Sequence, residues 1–130
     1  MTAFSRALER FGTETAPEHV NGRIRLAAKR FASSVVGGSP VETGAFAGAW
    51  DVGIASYPAT MPRGTGKQSS LGRIMAALNT IRGEKIVEFV VIQNLQPYAA
   101  QLEFSPGFRR DGQTGWVRAA VAATAERLKS

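Results

Sequence analysis

The chain contains no cysteine, and that absence removes a disulfide framework, a thiolate nucleophile and any sulfur-ligated zinc site. It fits synthesis in a reducing compartment such as the cytosol. There is one histidine, His19, with no potential partner near it in sequence, so it reads as a surface side chain and not as a metal ligand. Apolar runs such as Phe89 to Ile92 fall far short of the ~20 residues that cross a bilayer, so no membrane contact is expected. The N-terminus, M-T-A-F-S-R-A-L-E-R-F, lacks the unbroken apolar stretch and small-residue cleavage site of a signal peptide, which argues against secretion by that route. The ten acidic residues are dispersed, and Glu84 and Glu88 lie beside and inside a strand built for packing, so neither an acid/base couple nor a metal cluster stands out. Ser33-Ser34 and Ser69-Ser70 have no G-x-S-x-G elbow around them. No catalytic residue and no cofactor or metal ligand is therefore expected.

What is present suits one folded unit. With 130 residues, 44% of them hydrophobic and 20% charged, the chain lies near the globular average and is large enough to bury about two-thirds of its unfolded surface. Sixteen Lys and Arg against ten Asp and Glu leave a net charge of +6, which favours contact with a polyanion. That charge is scattered. Lys29-Arg30 and Arg109-Arg110 are the adjacent basic pairs, without the like-charge block that marks a dedicated nucleic-acid tail.

The periodicities predict α+β organisation without repeats or a linker. Phe4, Leu8 and Phe11 recur at helical spacing, so residues 1–16 form an extension with a short amphipathic helix ended by Gly12. Pro17 and Glu18 open a longer helix, where a missing N–H costs nothing and an acid favours the dipole. Its stripe is Val20, Ile24, Ala27, Ala28, Phe31 and Val35, and Gly37-Gly38 should end it through the left-handed conformation. Trp50, Val52 and Ile54 alternate as a strand with one core face. Residues 57–70 read as a long loop, with Ser69 or Ser70 capping a helix that carries Leu71, Ile74, Met75, Leu78 and Ile81. Residues 85–94 are apolar on both faces, as in a central or intersubunit strand. A short helix or irregular segment at 98–104, a loop at 105–115 and a last helix with Val117, Ala120, Val121, Ala125 and Leu128 follow. The expected fold is a single α+β domain over residues 1–130: a small antiparallel sheet, from strands near 50–56 and 85–93, packed against the long N-terminal helix and the C-terminal helix.

Two strings tempt a chemical reading. Residues 63–75, R-G-T-G-K-Q-S-S-L-G-R-I-M, place Gly-Lys before a helix as a phosphate-binding loop does. Met61 stands where that loop needs its first glycine, Gln68 where it needs the magnesium-holding hydroxyl, and no apolar strand precedes it. It reads as a flexible loop with a positive tip. Trp50, Tyr57, Tyr98, Phe104 and Trp116 lack the interleaved basic residues of a base-stacking platform, and suit a core or a subunit interface.

The stretch P-V-E-T-G-A-F-A-G-A-W at 40–50 puts a rigid turn and small residues between the long helix and a strand, a composition that lets backbones approach closely. Together with V-V-I-Q-N-L-Q-P-Y-A-A-Q-L-E-F at 90–104 and the order of elements across residues 18–128, it resembles the bacteriophage neck and tail-completion family of head–tail joining and minor tail components. The positions that match the family pattern are Pro40, Val41, Glu42, Thr43, Gly44, Trp50, Asn94, Pro97, Tyr98, Ala99, Leu102, Glu103 and Phe104. Ser105-Pro106 departs from the glycine common there, and Thr60–Ile81 carries a longer loop and helix than a minimal member. The resemblance implies a non-enzymatic virion protein, made in the host cytoplasm. It would form a homo-oligomeric ring in the neck, as tail completion or tail terminator protein, with DNA passing through. Six subunits are expected and twelve are the alternative, with connector, stopper or tail-tube proteins as neighbours. A heterologous interface closes into such a ring when its rotation divides a circle. Arg63, Lys67, Arg109 and Arg110, on the two long loops, are the candidates for non-specific contact with DNA or acidic neighbours. The competing reading of the charge is a basic nucleic-acid-binding module.

Overall fold

A computed structural model describes residues 17–40, 44–83, 85–105 and 114–129; the expected N-terminal helix, the V-E-T of the motif, Glu84 and most of the 105–115 loop lie outside these. Helix α1 (Pro17–Gly37) starts as expected, with Pro17 first and Glu18 in the first turn. Its end has a different cause from the one expected. Gly37 and Gly38 do not have positive φ; instead a Cβ at position 38 would sit 2.5 Å from Trp116 Cδ1. A glycine is required there by contact with a side chain 78 residues onward.

Strand β1 (Trp50–Ile54) pairs antiparallel with β2 (Val90–Asn94), Trp50 opposite Asn94, Val52 opposite Ile92 and Ile54 opposite Val90. Helix α2 (Gly66–Leu78) packs against both α1 and β1, and α3 (Ala99–Phe104) and α4 (Trp116–Lys129) complete the described elements, α4 lying on α1. This is the expected α+β domain, and the structure adds α2 as the helix on which the sheet rests. The core joins Ala32, Val35 and Val36 of α1 to Phe46, Trp50, Val52, Ile74, Leu78, Ile81, Leu102 and Ala120.

Three boundaries differ from expectation. Helix α2 begins at Gly66 rather than after the serine pair, so the preceding loop ends at Thr65. The reason lies in where the hydroxyls go: Ser69 Oγ donates back to Thr65 O at 2.8 Å, inside the first turn, and Ser70 is fully buried. That helix stops at Leu78, short of Ile81, the last residue of its expected stripe. Arg25 and Lys29 of α1 donate to Ile81 O and Asn79 Oδ1, each at 2.5 Å. Cations at a helix C-terminus favour its dipole, so part of the basic face of α1 is engaged within the fold.

The third difference is the strand expected over 85–94, which is paired only from Val90. Asn21 explains the shortfall. Its Nδ2 donates to Gly83 O at 3.2 Å and Lys85 O at 2.9 Å, while its Oδ1 accepts from Val87 N at 3.0 Å. A buried carboxamide on α1 thus takes backbone groups that a neighbouring strand would otherwise use. The Ala55 N to Phe89 O bond of 2.8 Å is the last link between the two strands' ends.

Candidate functional site

The two halves of the sequence motif, 40–50 and 94–104, meet in space around Phe46. Gly44 turns the chain with φ of +76°, and its carbonyl accepts from Gly48 N at 2.9 Å and Gly66 N at 2.7 Å. The small residues serve close approach, as their composition suggested. A Cβ at Gly48 would lie 2.6 Å from Gly64 O, so any larger residue would push the 44–49 turn off the start of α2.

That turn presents the Phe46 ring to three others. Its centroid lies 5.8 Å from Trp50 and 6.1 Å from Trp116, both edge-on, and 5.9 Å from Tyr98 in a tilted arrangement. These are the separations at which aromatic rings attract through their quadrupoles. Asn94, at the end of β2, donates its Nδ2 to Phe46 O at 2.9 Å and accepts from Gln96 N at 3.1 Å, which shapes the turn into Pro97-Tyr98. Pro97 itself is exposed, Leu102 is buried in the core, and Pro40 is half-buried beside Ser39.

Below the rings runs a buried polar chain. Trp50 Nε1 donates to Ser39 Oγ at 2.8 Å, Ser39 Oγ donates to Val35 O at 2.8 Å, and Trp116 Nε1 donates to the same carbonyl at 2.9 Å. Both indoles are thereby tied to the C-terminal end of α1. On the free edge of β1, α2 supplies the missing partners. Ser70 Oγ donates to Ala47 O at 2.6 Å and accepts from Trp50 N at 3.2 Å, and Arg73 Nη1 donates to Trp50 O at 2.5 Å.

Glu103 caps the last helix. Its Oε1 accepts from Val117 N at 3.2 Å, its Oε2 from Arg118 N at 2.8 Å, and its own carbonyl accepts from Gly115 N at 2.9 Å. A carboxylate there satisfies first-turn N–H groups and complements the positive end of the helix dipole. Arg118 Nε also reaches Oε2 at 3.2 Å, and its guanidinium lies 4.6 Å from the Phe104 ring centroid. Because Arg118 is 58% exposed while Glu103 is buried, the ion pair is a surface cover over a buried cap.

Every described motif residue that carries a buried polar group spends it on another part of the same chain. Among the described residues no buried side-chain polar atom lacks a partner, and no group of acidic residues or histidine is placed to hold a metal. The arrangement joins α1, both strands, α3 and α4; it presents no nucleophile beside a base. Val41 and Thr43 lie outside the described residues, as do Arg109 and Arg110. Arg63 is exposed in the loop before α2, whereas Lys67 reaches back to Gly37 O at 2.5 Å and closes the C-terminal end of α1. Ser39, Ser70, Arg73 and Asn21 were missed from sequence. Ser70 alone had a signal: it stands one turn before Ile74 on the core-facing stripe of its helix.

Elsewhere is an open apolar groove of about 460 Å³, between the middle of α1, the entry into β2 and the C-terminal half of α4. Nearby, the Tyr57 ring is 74% exposed and lies 5.5 Å from that of Phe89. Comparison with family models, with curated proteins and with solved structures finds no match to this chain.

Proposed function

We propose that the chain is a structural subunit of a tailed bacteriophage neck, assembling head to tail into a ring, most simply of six copies, that completes or terminates the tail and lets DNA pass. The observation that carries this reading is the meeting of the two motif segments around Phe46. Gly44, Trp50, Asn94, Tyr98, Leu102 and Glu103 each have an architectural task in the fold, and a motif used for architecture suits a protein that works by shape. The apolar groove and the exposed Tyr57–Phe89 pair offer surfaces for neighbouring subunits. The net charge of +6 suits a channel that meets a polyanion, with Arg63 the exposed candidate among the described basic residues.

The test combines native mass spectrometry with electron microscopy of the purified chain and of phage particles from its source. Rings of six or twelve copies, and presence of the chain at the head–tail junction, are the expected results. Particles that lack the chain would overturn the reading. The charge favours a nucleic-acid-binding module as the second reading, and that predicts a monomer whose DNA affinity falls steeply with salt.

A further inference from the structure

The two outer edges of the sheet differ in how their backbone is satisfied. On β1 the outward groups have partners: Trp50 N bonds Ser70 Oγ, Trp50 O accepts from Arg73 Nη1, and Val52 N donates to Asp51 Oδ1 at 2.8 Å. The Ala55 N to Phe89 O bond and the register set the same alternation on β2, so Val90 and Ile92 turn their N–H and C=O groups away from β1. Among the described residues nothing bonds them. The strand reads V-V-I-Q-N, without the proline or lysine that blunts an open edge, and the side chains of the same two residues line the apolar groove.

A second unpaired segment lies in the loop before α2. Ala59, Thr60 and Met61 are exposed, belong to no helix or strand and bend at Thr60, and among the described residues their backbone groups have no partner. Alternation decides which side of this segment can pair. Pro58 and Pro62 lack an N–H and share a side with Thr60, so the side of Ala59 and Met61 is the one that offers every donor and acceptor. In antiparallel pairing, residues that face each other place their side chains on one face of the sheet. Met61, 43% exposed in the lone chain, then enters the groove beside Val90 and Ile92.

We infer that residues 59–61 of one copy add as a third strand to the free edge of β2 in the next copy. The alternating partial charges of N–H and C=O along that edge are complemented, group for group, by another extended backbone. The loop does not serve its own edge, because its far end is held at β1, where Arg73 Nη2 donates to Arg63 O at 3.5 Å and α2 begins at Gly66. Strand and socket thus belong to opposite edges of the two-stranded sheet, which is the arrangement of a head-to-tail contact. The inference rests on the head-to-tail assembly of the proposed function and names the surfaces that make it.

A photoreactive phenylalanine analogue in place of Met61 tests the contact without fixing a register. In concentrated full-length protein mixed from isotope-labelled and unlabelled chains, irradiation is expected to link position 61 of one copy to residues 87–92 or 121–128 of another. Rings linked elsewhere, or only within one chain, overturn this inference and leave the ring reading standing; absence of any assembly overturns both. Two surface variants give a second measurement. Met61→Asp alters the loop and Val121→Asp the groove, at a side chain that is 53% exposed, and each should weaken self-association by about tenfold or more. Mixed in equal amounts they restore one intact contact per pair, so native mass spectrometry should show dimers and nothing larger. Full-size rings from either variant alone, or a mixture that fails to pair, would overturn the inference.

Discussion

The C-terminal end of α1 and its middle have opposite characters. Around Phe46 the molecule is closed: four aromatic rings interlock, two indoles converge on the Val35 carbonyl, and side chains of α2 complete the edge of β1. Around Ile24 and Phe31 it is open, and mostly apolar side chains line a trough. The closed side holds distant parts of the sequence in a fixed relation. The open side has surface to offer. One helix is thus sealed toward its C-terminal end and only part-covered along its middle.

The largest effect expected on this contrast is from Phe46→Ala, which empties the centre of the ring cluster and should cost about 3–5 kcal/mol in urea unfolding. Next, Asn21→Ala leaves the Gly83 and Lys85 carbonyls and the Val87 amide without their partner; a loss of about 3 kcal/mol is expected, with faster hydrogen exchange at Val87. Replacing Ser70 with valine strips Ala47 O and Trp50 N of their partner inside the core and should cost about 2 kcal/mol by the same assay. Glu103→Gln keeps one acceptor but loses the charge at the helix N-terminus, for about 1 kcal/mol and local loss of protection at Val117 and Arg118. The smallest change belongs to the open side, where Ile24→Ala should shift stability by about 1 kcal/mol or less. If Ile24→Ala matched Phe46→Ala, the contrast between a closed and an open face would not describe this protein.

How much of this was readable beforehand depends on whether the determinant was local. The start of α1 was legible because Pro17 and Glu18 act within their own turn, and β1 because Trp50, Val52 and Ile54 alternate within a single strand. The small-residue run 44–49 signalled close packing, though not that its counterpart would be Gly64 and Thr65. The motif was visible as a string of letters, but the work of Glu103 was not, since its acceptors point at amides 14 and 15 residues later. Gly38 was credited with a backbone conformation, and the real demand on it comes from the Trp116 ring.

The strand at 85–94 is the instructive failure. Its β-branched residues satisfied every local preference, and a buried carboxamide on another helix took over half of its pairing. Nothing near Asn21 in sequence marks it for that task.

From the order of residues alone came the α+β class, the helical stripes and the one-sided strand. These rest on periodicity and composition, which neighbours along the chain decide between themselves. The partners of Asn21, Ser39, Ser70, Arg73 and Glu103, and the division of α1 into a sealed end and a part-covered middle, were settled by the folded packing. A buried polar group must be satisfied by whatever the fold brings within about 3 Å, and chain separation places no limit on which residue that is.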